Sequence, residues 1–208
     1  MSRNNIYILD AGHGGVDEQG NYLTAGKRSP IWKDGKVYYE GEGNRQIVSG
    51  IADLLESENI PYHVLVPESR DVPLWERVQR VNKLDTDLNK VVISVHSNGF
   101  HKESANGWQC NTSKSKQSKE LASHFVKMAK KYLPPRFNMR RKELNSIVHS
   151  NFAILGNTKN IKHPYPAVLT ENLFHTNRKD CLFLMSQKGQ ETIINIHFQA
   201  ILSYEQRL

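Results

Sequence analysis

Short apolar runs bounded by turn residues recur along the chain, at Ile6–Leu9, Tyr62–Val66, Val91–Val95, Gly107–Asn111, Phe152–Leu155 and Ala167–Leu169. Each predicts a β-strand. Between several of them the apolar spacing changes to that of a helix. Asn44–Ser57 sets Ile47, Val48, Ile51, Leu54 and Leu55 on one side at i, i+3, i+4, i+7 and i+8. Trp75–Leu84 predicts a shorter helix. Ser115–Tyr132 gathers Leu121, Phe125, Met128 and Ala129 on one face with lysines opposite. Gln190–Leu202, with Thr192, Ile193, Ile196, His197, Ala200 and Ile201, predicts a closing C-terminal helix. Strands alternating with helices imply an α/β layered fold on a largely parallel sheet. Two stretches, Asp17–Tyr38 and Pro134–Asn151, read as long irregular loops, which in a compact domain tend to carry function.

The chain has 208 residues, 38% of them hydrophobic and 24% charged, the composition of one ordinary globular domain over residues 1–208. Its start, MSRNNIYILDAGHGG, lacks the apolar core of a secretory signal. No apolar stretch approaches the roughly 20 residues of a membrane span. Synthesis in the cytoplasm is the expectation. Cys110 and Cys181 are too few for a disulfide framework or a thiolate zinc site and are expected to be small core residues. The net charge of +7 is unevenly placed: residues 101–142 hold eleven Lys or Arg against Glu103 and Glu120, a net +9, leaving −2 for the rest. Such a field attracts nucleic acid, an anionic cell envelope or an acidic substrate, unless it is only a solvated helix face.

Ligands of open α/β sheets gather beyond the carboxyl ends of the strands, so polar residues just after the strands matter most. In "ILDAGHGG", residues 8–15, His13 follows the first strand by a Gly-rich turn. His96 follows "VVISV" directly, and Glu171 ends "PAVLT". Glu40 and Glu42 open the first helix in "YYEGEGN", where an acid also suits the positive helix end. Two histidines and two carboxylates are the stock of a catalytic zinc site. Three protein ligands leave one position open for water, and a further carboxylate can serve as general base.

The ordered blocks "ILDAGHGG" (8–15), "EGEGNRQIV" (40–48), "WERVQRVN" (75–82), "VVISVHSNG" (91–99) and "PAVLTENLFHTN" (166–177) resemble the zinc-dependent N-acetylmuramoyl-L-alanine amidases of bacterial autolysins and phage endolysins. The resemblance implies an α/β domain with a mixed, mostly parallel sheet of about six strands flanked by helices. It also implies one zinc ion and hydrolysis of the amide between N-acetylmuramic acid and L-alanine in peptidoglycan. By motif, His13, Glu40 and His96 would be the zinc ligands and Glu171 the catalytic carboxylate. Glu40 is favoured over Glu42 because it precedes Asn44 by four residues and Ile47 and Val48 by seven and eight, as the family's ligand does. Asp10, Asn98 and Asn177 are candidates for orienting the site or meeting substrate, Asp10 and Asn98 by holding His13 and His96. The glycines around His13 are expected to let the chain turn sharply and to leave room for metal and substrate. His149 and His175 read as surface histidines, and Arg77 and Asn82 as organisers of the sheet.

The chain departs from that family in its long Asp17–Tyr38 loop and in its basic Pro134–Asn151 segment, where wall recognition is expected to reside. With no separate wall-binding module, segment 101–142 is expected to supply attraction to the anionic envelope. With no export signal, a phage or prophage endolysin released through a phage pore is expected rather than an exported autolysin. A zinc peptidase or deacetylase is the rival enzyme, but the helical H-E-x-x-H is absent. A nucleic-acid-binding domain would explain the basic segment, but no reader motif or zinc-finger spacing accompanies it. Neither nucleic acid nor membrane insertion is therefore expected, and the oligomeric state is left open.

Overall fold

A computed structural model describes residues 4–156 and 165–206, apart from the side chain of residue 143. Six strands form one sheet: β1 (Asn5–Ala11), β2 (Tyr62–Val64), β3 (Asn89–Asn98), β4 (Gln109–Thr112), β5 (Ile147–His149) and β6 (Ala167–Phe174), in the order β2-β1-β3-β6-β4-β5. All neighbours are parallel except β4 and β6. The helices are α1 (Glu40–Ser57), α2 (Leu74–Lys83), α3 (Lys116–Tyr132), α4 (Arg178–Leu184) and α5 (Gln187–Glu205). The α/β architecture and the six-stranded, mostly parallel sheet agree with the sequence reading.

Alternate residues of the central strands feed two cores. Tyr7, Leu9, Val91, Ile93 and Val168 face the larger core, completed by α1, α3 and α5. Ile8, Val92, Ala167 and Leu169 face a smaller one with Val81 of α2, Ile154 and Leu155. Cys110 and Cys181 are buried free thiols, as expected. Among the described residues no helix is long and apolar enough to cross a membrane.

Three elements differ from expectation. Phe152–Leu155 is not a strand: Ala153–Leu155 forms a single 3-10 turn, ended by Gly156 in the left-handed region at φ 80°. Its apolar residues plug the smaller core rather than pair in the sheet. The edge strand β5 arises instead inside the basic stretch expected to be irregular, where only Ile147 and Val148 mark it. α1 runs from Glu40, four residues before the Asn44 start that the apolar spacing gives, because its first turn, Glu-Gly-Glu-Gly, has no apolar side chain to extend the stripe. Gly41 is required there, since a Cβ would lie 1.8 Å from the carbonyl oxygen of Gly14.

His197 locks α5 onto β6 from within the larger core. Its Nδ1–H donates to the Ile193 carbonyl at 2.8 Å, leaving Nε2 to accept from the Thr170 hydroxyl at 2.9 Å. The ring is fully buried, and burial pushes its pKa down to about 4. The unfolded chain therefore binds a proton below pH ~6.5 that the folded chain refuses until pH ~4. Stability from this group is complete above pH ~6.5 and falls by roughly 3 kcal/mol as pH drops to ~4. In urea unfolding, His197→Leu should flatten the loss of stability over that window; equal slopes in variant and wild type would contradict the assignment.

Candidate metal centre

β1, β3 and β6 end side by side, and their register sets the site. Asp10 lies opposite Ser94 and Ala11 opposite Val95, so the turn after β1 leaves the sheet beside His96. On the other side of β3, His96 pairs with Glu171 of β6. The register then slips, with Asn98 facing Phe174, and Leu173 in this bulge takes φ 67°. Bulges of this kind re-aim side chains next to functional sites. α1 delivers Glu40 to the same edge.

The turn holding His13 is tight in a way its glycines did not foretell. The left-handed residue is His13 itself, at φ 67°, an uncommon conformation for a residue with a Cβ. Gly12 serves a different need: a Cβ there would lie 2.1–2.5 Å from the His96 imidazole. Its conformation is ordinary, and its missing side chain is the space that His96 occupies. The turn is held by its backbone oxygens. The Gly12 carbonyl accepts from Asn44 Nδ2 at 3.1 Å, and that of His13 accepts from Arg45 Nη1 at 2.9 Å and Arg77 Nη2 at 3.2 Å.

His13, Glu40 and His96 offer donor atoms that all lie within 4.8 Å of one another. Glu40 Oε1 is 3.4 Å from His13 Nε2 and 3.2 Å from His96 Nδ1, and it also accepts from the Ser97 amide at 3.2 Å. A tetrahedral zinc with bonds of about 2.0–2.1 Å holds its donors about 3.3 Å apart, so the set fits that ion. Burial opposes the charge on Glu40, but the two imidazoles outweigh it and hold the carboxyl well below the usual carboxylate range. Burial likewise opposes a charged His96, and Glu40 reverses the balance, raising its pKa. Glu42 is occupied elsewhere, accepting from the Val16 amide at 2.9 Å.

Glu171 lines the same cleft, of about 850 Å³, but joins no ligand pair. Its Oε2 is buried with no hydrogen-bond partner among the described residues. Burial, reinforced by the negative Glu40, pushes its pKa up to about 7 against the pull of His96. The two carboxylates thus behave oppositely.

The remaining sequence candidates separate. Asp10 does not hold His13: its carboxylate accepts from Arg77 Nη1 and, at 2.6 Å, from the Ser94 hydroxyl. It acts one step removed, because the same guanidinium clasps the Ala11 and His13 carbonyls. Asn98 lines the cleft, and its backbone carbonyl accepts from the His175 amide at 2.9 Å; the carbonyl of His96 is held by Asn172 Nδ2 at 3.0 Å. Asn177 lies outside the cleft lining and caps α4, accepting from the Asp180 amide at 3.0 Å and donating to the Glu103 carbonyl. A side chain needed at a helix start explains it fully. His149 is exposed at the far edge of the sheet, on β5.

His175, expected at the surface, is 3% exposed and belongs to the site. Its Nδ1 lies 3.0 Å from Ser97 Oγ and 3.9 Å from Glu40 Oε2, and burial lowers its pKa. The only signal was its position four residues after Glu171 in an apolar strand. Lys27, also in the cleft lining, had no signal at all beyond its place in the long loop.

Together the fold and the cleft define a layered α/β domain with a His-Glu-His donor set at the carboxyl edge of its sheet and a carboxylate with one buried oxygen beside it. A family model described as N-acetylmuramoyl-L-alanine amidase matches residues 8–203, and the chain belongs to that family of enzymes. Solved structures agree. An N-acetylmuramoyl-L-alanine amidase from Clostridium difficile 630 superposes with a TM-score of 0.77 at 25% identity, over 98% of this chain and 97% of that one. AmiC2 of Nostoc punctiforme, also an amidase, superposes at 0.75 with 21% identity over the whole of both chains. The catalytic domain of the CD27L endolysin, which targets Clostridia difficile, gives 0.68 at 20% identity, over 97% of this chain and 98% of that one. A comparison with curated proteins found no match.

Arg77 is the testable support of this architecture. It is 3% exposed and its ion pair with Asp10 is buried. Arg77→Met leaves that carboxylate buried and unpaired and should cost about 3–5 kcal/mol in denaturant unfolding. Adding Asp10→Asn should recover a large part of the loss; a single variant within 1 kcal/mol of wild type would contradict the role.

Proposed function

We propose that the chain is a zinc-dependent N-acetylmuramoyl-L-alanine amidase in which His13, Glu40 and His96 hold one zinc ion and Glu171 is the catalytic carboxylate. The observation that carries this reading is the pairing of a three-donor cluster with the unpartnered Glu171 Oε2 in one cleft. A bound zinc supplies Lewis acidity, polarising a carbonyl oxygen and acidifying water. The chain's own residues do the rest. Glu171 Oε2 takes a proton from the attacking water as the carbon–nitrogen bond of the lactyl amide is being replaced by a carbon–oxygen bond. It then passes that proton to the departing amine of L-alanine. A carboxyl with a pKa near 7 suits both duties at neutral pH. Ser97 donates its amide to Glu40 and so holds that carboxylate in place in the donor set.

The same reading makes the protein a phage or prophage endolysin that reaches the wall through a phage pore. The likeness in fold to an endolysin's catalytic domain supports it. So does the basic face: Lys116, Lys119, Lys127, Lys130 and Lys131 are exposed on α3, opposite the buried Leu121, Phe125 and Met128. That face suits attraction to an anionic envelope, a force screened by salt over about 8 Å at physiological ionic strength.

Glu171→Ala tests the assignment. Hydrolysis of purified cell walls should fall by about 10²–10⁴-fold, the usual contribution of a general base, while bound zinc stays near one per chain. Wall hydrolysis at the wild-type rate would overturn the role of Glu171.

A further inference from the structure

The long loop at 17–38 is anchored over much of its length. Val16 bridges to Tyr22 and Arg28 to Tyr39, and the Trp32 indole donates to Cys181 Sγ at 3.3 Å. Only Gly26 and Lys27 of this loop line the catalytic cleft, so Lys27 provides its one functional group there. Its backbone is bolted to the site: the Lys27 carbonyl accepts from the amide of Glu40 at 3.0 Å and from the Tyr22 hydroxyl at 2.8 Å. The preceding turn is fixed by Lys27 N–H donating to the Thr24 carbonyl, with Gly26 at φ 77°. The side chain is exposed and makes no ion pair among the described residues. Its charge nevertheless reaches the catalytic end, where it lowers the pKa of both Glu171 and His175.

We infer that Lys27 is a specificity residue that recognises a carboxylate on the peptide portion of the substrate, one residue beyond the alanine whose amide is cut. This rests on the amidase reading above. An extended chain spans about 3.5 Å per residue, so a carboxylate at that position lies within one lysine side chain of the catalytic end. The other cation deep in the cleft, Arg77, is already committed to Asp10 and three backbone carbonyls. The half-exposed Asp71 also lines the cleft, and a peptide carboxylate entering past it is favoured beside a cation that has no other partner among the described residues. An ammonium is a point charge on a flexible stem, suited to a carboxylate that need not be held in one fixed orientation.

The test uses two synthetic muropeptides that differ only at the residue after L-alanine, one bearing a free carboxylate and the other its carboxamide. Wild-type protein loaded with zinc should show a KM roughly five- to tenfold lower for the acid, the scale of one charge-assisted contact in a partly open cleft. Lys27→Met should raise KM for the acid by that factor with little change in kcat, erasing the preference, and Lys27→Arg should retain most of it. Turnover of the carboxamide by each variant, together with its zinc content, reports that the site is intact. A wild type indifferent to the carboxylate would overturn the inference alone. So would a Lys27→Met variant whose kcat falls equally on both substrates, since that places Lys27 at the reacting atoms. Failure of the wild type to cut the lactyl amide of either compound would overturn the amidase reading, and this inference with it.

Discussion

The Arg77 guanidinium, buried beneath the end of β1, is the interaction on which the carboxyl edge of the sheet depends. It neutralises Asp10, takes up the Val72 carbonyl, and ties the Ala11 and His13 carbonyls into one cluster. A left-handed histidine is costly without such support, because strained backbone persists only where its surroundings over-determine it. Arg45 adds a second clasp from α1, and Gly12 gives way to the His96 ring. The geometry of His13 is thus set by backbone hydrogen bonds from two arginines, while its imidazole stays free to face Glu40.

That arrangement lets two neighbouring carboxylates take different parts. Glu40 sits between imidazoles and stays charged, the state a metal ligand requires. Glu171, on β6 opposite His96, has no hydrogen-bond partner for Oε2 among the described residues, and burial pushes its pKa up to about 7. Environment alone separates them, which is how a single site assembles both a ligand and a proton carrier.

Much of this was legible in the sequence, for physical reasons. β1, β3 and β6 are central strands buried on both faces, so they read as continuous apolar runs, and the residues ending them were conspicuous. β5 is a short edge strand with two apolar residues, and Phe152–Leu155 imitates a strand because a core-plugging turn needs the same residue types. His13, Glu40, His96 and Glu171 were recognisable by place and type, and the structure brings them to one cleft. Asp10, Asn98 and Asn177 show the limit. A polar residue at the end of a strand or the start of a helix has several partners within reach, and spacing cannot say which one it takes. His175 was hidden by the bulge at Leu173, which changes the direction of everything after it. Lys27 was hidden because its position depends on how a 22-residue loop is anchored.

The account's central claim is that a zinc-loaded His13–Glu40–His96 centre and Glu171 cut one particular bond. Mass analysis of purified cell walls digested by the protein tests it most directly. New free amino termini on L-alanine should appear, vanish when a chelator strips the metal, and return when zinc is restored. New reducing sugar ends, or amino termini within the peptide instead of at L-alanine, would contradict it.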